Sequence, residues 1–346
     1  MQVVRSKNII MRTKRIDVAK IAGVSEATVS YVLNNTKRVS PEVEKRVKDA
    51  AKSLGYVPNR IAQALVGNKT NTIAIMTNDI GNTYQIEVIK GLQAEALKHD
   101  YIVYIFDASG DIEKYLQHII SRRIDGIFVV TAPDALSDEK LQELCNADIK
   151  VLADFARNTY LPNVSYVMSN IYEGFEKIVK YLSSLGHTRI AYLSAFDEAC
   201  TYDFRLTAFK LAMKNILGEE YPIIECSKNP YSSTSEVGEN LFKKLISRTR
   251  DFTAVICTND LMAIGAMRYA EEMGIKVPEE LSFIGIDNIS QSEICMPSLT
   301  TLSQDGREYG RRVFDVLYSQ INDGIVGKYI VPMKLIIRDS TDKPKK

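Results

Sequence analysis

The chain has 346 residues, 45% of them hydrophobic and 25% charged, with a net charge of +1. That length is too great for one ordinary core, so two or three folding units are expected. No stretch approaches the roughly 18 apolar residues of a membrane span, and no apolar run follows the basic N-terminus as a secretory leader requires, so the expected compartment is the cytoplasm, at the nucleoid. Five scattered cysteines (Cys145, Cys200, Cys226, Cys257 and Cys295) form no CxxC pair, and only three histidines exist, which argues against a metal framework; no metal and no cofactor are expected.

The charge is unevenly placed. Residues 1–60 carry 13 Lys/Arg against 5 Asp/Glu, a net of +8, which leaves −7 for the remainder. A basic end on an acidic body points to a polyanion partner, with a solvated basic tail as the plain alternative. Residues 1–13 are expected to be a disordered extension, with Met11 as an alternative start. Val18, Ala19, Ile21 and Ala22 then form an apolar stripe at helical spacing, and Gly23 interrupts it. Ser25 is a good N-cap for a second helix over Glu26–Leu33, in which Ala27, Val29, Val32 and Leu33 can pack inward. Ser40 and Pro41 open a third helix that Gly55 stops.

Two short helices joined by a glycine turn make a helix-turn-helix, here placed at residues 14–57. The second helix of such a motif meets base edges with its N-terminal residues, so Ser25, Glu26, Ala27, Thr28, Ser30, Tyr31, Asn34 and Arg38 are the candidate DNA contacts. Ala27 and Thr28 suit thymine methyls, and Glu26 could accept from a cytosine amino group. Equally, Glu26 could simply favour the helix dipole. Lys37 is placed at the DNA backbone, and Arg38 either there or at a base. Residues 58–71 form a hinge, with a short helix over Arg60–Val66 that is too short to stand alone in water.

From Thr72 onward apolar runs alternate with amphipathic stretches. Strands are predicted at Ile73–Thr77, Ile102–Phe106, Gly126–Val130, Val151–Ala153, Arg189–Ser194, Thr253–Cys257, Ser282–Ile286 and Tyr329–Ile337. Helices are predicted at Glu87–Lys98, Asp111–Arg122, Tyr172–Leu185, Glu236–Ser247 and Leu261–Met273, and Arg205 opens another. Such alternation means parallel sheets covered on both faces. The expected fold is therefore an all-α headpiece followed by a two-lobed α/β domain over 72–340. No GxGxxG, GxxxxGK[ST], GxSxG or HExxH motif occurs, which makes an enzyme the weaker reading. Ligands of open α/β sheets sit outside the carboxyl ends of the strands. Asn78, Tyr84, Asp154, Asn259 and Asp287 fall there, with Arg205 at a helix start. Carboxylates, amides, one guanidinium and an aromatic face (Tyr84 or Phe155) suit a polyhydroxyl ligand. Asp260 reads more simply as a helix N-cap, Asn170 as a cap or turn residue, and Asp79 as a loop brace.

The segments AKIAGVSEATVSYVLN and VSPEVEKRVKDAAKSLGYVPN resemble the LacI/GalR repressor family, and SRRIDGIFV, LGHTRIAYL, AVICTNDLMAIGAM, VPEELSFIGIDNI and PSLTTLSQ extend the likeness over nearly the whole chain. Arg15, Tyr31, Ser169 and Ala208 depart from the family's commoner residues. The resemblance implies a homodimer on a pseudo-palindromic operator and an effector domain like the periplasmic sugar-binding proteins. One lobe would hold about 72–170 and 303–324, the other about 171–302 and 325–340. It also implies that Asn59 and Leu65 lie in a hinge helix on the minor groove, Leu65 as an intercalating wedge. Asp154, Arg205, Asn259 and Asp287 would touch the effector and Tyr84 would line its cleft. A carbohydrate is the expected effector; a purine, or a phosphocarrier protein, is the alternative, as are a transport receptor and a sugar-binding enzyme for the chain as a whole.

Overall fold

The computed structural model describes residues 13–34, 37–57, 69–130, 136–154, 160–200, 203–228 and 233–345. The chain divides after Thr70 into two compact units. The first holds α1 (Arg15–Ala22), α2 (Glu26–Leu33) and α3 (Pro41–Ser53). Gly23, at φ 64°, ends α1 in the left-handed region, where a side chain is penalised. Ser25 Oγ accepts from the Thr28 amide at 3.1 Å and Ser40 Oγ from the Val43 amide at 3.4 Å, so both caps form where the sequence places them. Val18, Ala19, Ala22, Val29, Val32, Val47, Ala50 and Ala51 make the core.

Two residues expected inside this core lie outside it. Ile21 is 59% exposed, because it sits more than a quarter-turn round α1 from the mean direction of Val18, Ala19 and Ala22. Ala27 is exposed on the face of α2 opposite Val29 and Val32. The hinge helix expected over 60–66, with Asn59 and Leu65, lies outside the described residues, as does Phe155.

The second unit contains two six-stranded sheets. The first is built from β1 (Thr72–Thr77), β2 (Ile102–Asp107), β3 (Gly126–Val130), β4 (Lys150–Ala153), β5 (Val164–Ser169) and β11 (Lys328–Val331), in the order β11-β5-β4-β3-β1-β2, all parallel. The second holds β6 (Ile190–Ser194), β7 (Ile223–Cys226), β8 (Ala254–Cys257), β9 (Ser282–Ile286), β10 (Thr300–Ser303) and β12 (Lys334–Ile336), in the order β12-β10-β9-β8-β6-β7. Only β12 runs antiparallel to its neighbour.

Helices cover both faces of each sheet. Ile73, Ile75, Phe128 and Leu152 pack on one side against α4 (Thr83–Lys98) and α12 (Gly306–Asp323), while Ala74, Met76, Ile127 and Val129 pack on the other against α5 (Ile112–Ser121) and α6 (Asp138–Asn146). The second sheet lies between α7 (Ile171–Leu185) and α8 (Phe204–Leu217) on one face and α9 (Ser235–Arg248) and α10 (Asp260–Glu272) on the other. A short α11 (Ser290–Ile294) follows β9. Burial on both faces is why the central strands read as unbroken apolar runs rather than alternating ones. The helix pairs cross tightly. A Cβ at Gly265 of α10 would collide with the Ser235 carbonyl of α9, which gives that helical glycine its reason.

Three strands were not legible as such: β5, β7 and β10. The last reads TTLS, yet Thr300 and Thr301 are fully buried because their hydroxyls find partners in Arg338 and Asp260. The single strand expected over Tyr329–Ile337 is two. Pro332 separates β11, paired with β5, from β12, paired with β10. Proline has no amide for the ladder, so the run breaks there. The chain's last passage between lobes therefore falls between Val331 and Lys334, later than the expected boundary at 324–325, and β11 belongs to the first lobe.

Candidate functional site

A cleft of about 390 Å³ opens between the two sheets, at the carboxyl ends of their strands. It gathers all six residues singled out in the sequence: Asn78, Tyr84, Asp154, Arg205, Asn259 and Asp287. Asn78 follows β1, Asp154 follows β4 and Asp287 follows β9, while Tyr84 and Arg205 lie in the first turns of α4 and α8.

Arg205 is the bridge of the site. One guanidinium nitrogen donates to the Thr258 carbonyl, and the other meets Asp287 Oδ1 at 3.2 Å. Asp287 is only 7% exposed. Burial raises its pKa, and the Arg205 charge opposes that rise. Its backbone has φ 107°, and Asn288 follows at φ 53°, so the strand end turns sharply into the cleft. Asp154 has no guanidinium of its own. It accepts from the Tyr309 hydroxyl on α12, and burial, offset by that bond and by Arg205, pushes its pKa up to about 7. Tyr84 lies near enough to both acids to feel their charges. Its hydroxyl is buried without a hydrogen-bond partner, as is Oε1 of the neighbouring Gln85. Burial and then the charges of Asp154 and Asp287 hold the Tyr84 phenol well above its ordinary range. Two orphaned polar atoms in one lining are unusual in a folded protein and mark where a ligand's polar groups would be satisfied.

Asn259 takes the capping part expected of Asp260 while still lining the cleft. Asn259 caps α10, its Oδ1 accepting from Met262 at 3.0 Å and its Nδ2 donating to the Ser233 carbonyl at 3.0 Å. Asp260, expected as the cap, is instead fully buried one residue further in. It accepts from the Ile289 amide at 2.9 Å, Ser292 Oγ at 2.5 Å and Thr301 Oγ1 at 2.6 Å. Burial, reinforced by the Asp287 charge, pushes its pKa up to about 7. Asp260 thereby pins the loop that carries Asp287 and Asn288. Asn170 stands at the start of α7 as expected, though its side chain goes to Glu173 rather than to the helix backbone. Asp79 braces its loop through the Gly81 amide at 2.8 Å. Sequence reasoning missed Thr258, Phe196, Gln85 and Asp203 in this cleft, and Tyr309 behind it as the partner of Asp154. Asp203 alone carried a readable signal, as an N-cap three residues before Leu206, whose amide it accepts at 2.9 Å.

The headpiece presents a separate face. Ala27, Ser25, Asn34 and Arg38 are exposed and Glu26, Thr28, Ser30 and Tyr31 half-buried. Thr28 and Ser25 share a hydroxyl contact of 2.9 Å, and Asn34 Nδ2 donates to Ser30 at 3.2 Å. Glu26 pairs with Arg15 at 3.3 Å. Lys37 lies 4.8 Å from the centre of the Tyr31 ring, a cation beside an aromatic on the same exposed side.

Residues 16–59 match the model for bacterial regulatory proteins of the lacI family, and residues 179–341 that for a periplasmic binding protein-like domain. The HTH-type transcriptional repressor PurR of Vibrio vulnificus (strain CMCP6) is 34% identical over 337 residues, 94% of this chain and 98% of the relative. The chain belongs to the lacI family. Its fold is that of the family's solved structures. The lac repressor dimer bound to operator and the anti-inducer ONPF superposes with a TM-score of 0.81 at 25% identity, over 95% of this chain and 99% of that one. A lacI-family regulator from Enterococcus faecium with bound ribose gives 0.70 at 25% identity, over 79% and 100%. Among the described residues, no helix of this lacI-family chain is long and apolar enough to cross a membrane.

Proposed function

We propose that this protein is a transcriptional repressor that binds a pseudo-palindromic operator as a homodimer, and that a small carbohydrate held between its lobes sets its grip on DNA. The observation that carries the ligand half is the cleft itself. Arg205 tied to Asp287, Asp154 facing them, and the unpartnered Tyr84 hydroxyl form a buried array of donors and acceptors that vicinal hydroxyls would complete. The ribose-bound relative from Enterococcus faecium supports the same ligand class. Because three chain passages join the lobes beside the cleft, closing the lobes on a ligand would move the chain that leads to the headpiece.

The DNA half rests on α2. Ala27, Thr28 and Tyr31 would meet base edges in the major groove, while Ser25, Ser30, Asn34 and Arg38 would serve the adjoining phosphates and sugars. Glu26, tied to Arg15, would act through the helix end rather than a base. Asn59 and Leu65 would act at the minor groove. Dimerisation would use the exposed edge of the first sheet. Ile102, Tyr104 and Ile105 lie 48%, 38% and 44% exposed on β2, an apolar edge that a free protein would be expected to guard.

A thermal-shift screen against free sugars, sugar phosphates and nucleobases tests the ligand class, since a ligand bound only by the folded state raises the midpoint. Asp287→Ala should then bind operator as the wild type does and lose the ligand response. A response that persists in the variant would move the effector site elsewhere.

A further inference from the structure

We infer that the effector of this cleft is neutral or cationic and rich in hydrogen-bond donors, and that the cleft rejects phosphate esters and carboxylates; the inference rests on the cleft being the effector site. Its charge makes the case. Among the described lining residues the acids are Asp79, Asp154, Asp203 and Asp287, and the only base is Arg205, with no lysine and no histidine. Arg205 is already committed at both ends, to the Thr258 carbonyl and to Asp287. A phosphate would have to displace Asp287 from it and leave that carboxylate buried and unpaired.

Helix N-termini are the other device by which α/β clefts attract anions. Four helices, α4, α7, α8 and α10, begin at residues that line this one, and all but α7 are closed by side chains of the chain itself. Asn82 Oδ1 accepts from Tyr84 and Gln85 at 2.9 and 3.3 Å, Asp203 Oδ1 from Leu206 at 2.9 Å, and Asn259 Oδ1 from Met262 at 3.0 Å. Asp203 fills the α8 terminus with acceptor oxygens, the reverse of an anion site. The remaining unsatisfied atom types agree. Gln85 Oε1 can only accept, as can the ionised carboxylates, and the Tyr84 hydroxyl is free to do either. A ligand must therefore bring several O–H or N–H donors and no negative charge of its own.

Burial holds Asp154 near half-protonated around neutrality, so a ligand donor that stabilises its carboxylate would also displace a proton. Binding of such a ligand should strengthen as pH rises through about 7.

The test is titration calorimetry of the full-length protein with matched pairs: ribose and ribose 5-phosphate, glucose and glucose 6-phosphate, adenosine and adenosine monophosphate. In any pair that binds, the unphosphorylated member should be at least about tenfold tighter, and Asp154→Asn should narrow that ratio by removing one repelling charge. Equal or tighter binding of a phosphate ester overturns the inference while leaving the cleft as the effector site. A ratio unchanged in Asp154→Asn overturns Asp154's charge as its cause. Binding by no member of any pair removes the small polyhydroxyl effector, and the inference falls with it.

Discussion

Replacing Asp154 by asparagine removes a buried charge while keeping an acceptor for the Tyr309 hydroxyl. In the folded protein burial lifts this carboxyl from its ordinary 3.8 to about 7. A shift of roughly three units corresponds to about 4 kcal/mol between the two protonation states. The unfolded chain loses the proton near pH 4 and the folded protein only near pH 7. Between those values the unfolded state binds fewer protons, so stability falls as pH rises. The whole cost, about 4 kcal/mol, is present near pH 8; about 2 kcal/mol remains near pH 5, and essentially none below pH 4. Asparagine has no charge to desolvate. Asp154→Asn should therefore stabilise the ligand-free protein by up to about 4 kcal/mol near pH 8 and by about half that near pH 5, while weakening effector binding. The chain has no tryptophan, so urea unfolding is best followed by far-ultraviolet circular dichroism at the two pH values. A variant no more stable than the wild type near pH 8, or an advantage equal at both, would refute the reasoning.

Three further substitutions probe the other parts. Ser25→Ala removes the cap of α2 and should cost the headpiece about 1 kcal/mol in the same urea titration, with effector affinity unchanged. Gly265→Ala places a methyl against the Ser235 carbonyl and should destabilise the second unit by about 3 kcal/mol in the same urea titration, whereas Gly274→Ala, with open space but φ 74°, should cost less. Leu65→Ala should weaken binding to operator more than binding to random DNA in a gel-shift comparison; equal losses on both would exclude a wedge.

Much of this fold follows from local rules. The caps at Ser25 and Ser40 lie where a hydroxyl precedes an apolar-periodic run, and β3 and β9 have the bounds their apolar runs dictate, because a central parallel strand is buried on both faces and its sequence says so. The candidate cleft residues were legible for a related reason: polar residues directly after an apolar strand have one place to go in an open α/β sheet, its carboxyl edge. Leucine and valine patterns carry no such mark at β10. Its threonines are inside only because Arg338 and Asp260, about 40 residues away, supply their hydrogen bonds.

The pair Asn259–Asp260 shows where local reasoning stops. Both residue types cap helices well, and adjacent capping residues compete on equal terms in the sequence. What separates them is Thr301, Ser292 and Ile289, which the tertiary fold brings to Asp260 and which make burying a carboxylate there tolerable. Tyr309 reached Asp154 in the same way, across 155 residues. The sequence by itself determined the helix-turn-helix, the two-lobed α/β plan and the strand ends that line the cleft, because these depend on periodicity, caps and composition within a few residues. Only the tertiary structure decided which acids are paired, which hydroxyls are left without partners and where the chain last crosses between lobes, because burial and charge compensation depend on atoms that are neighbours in space and strangers in sequence.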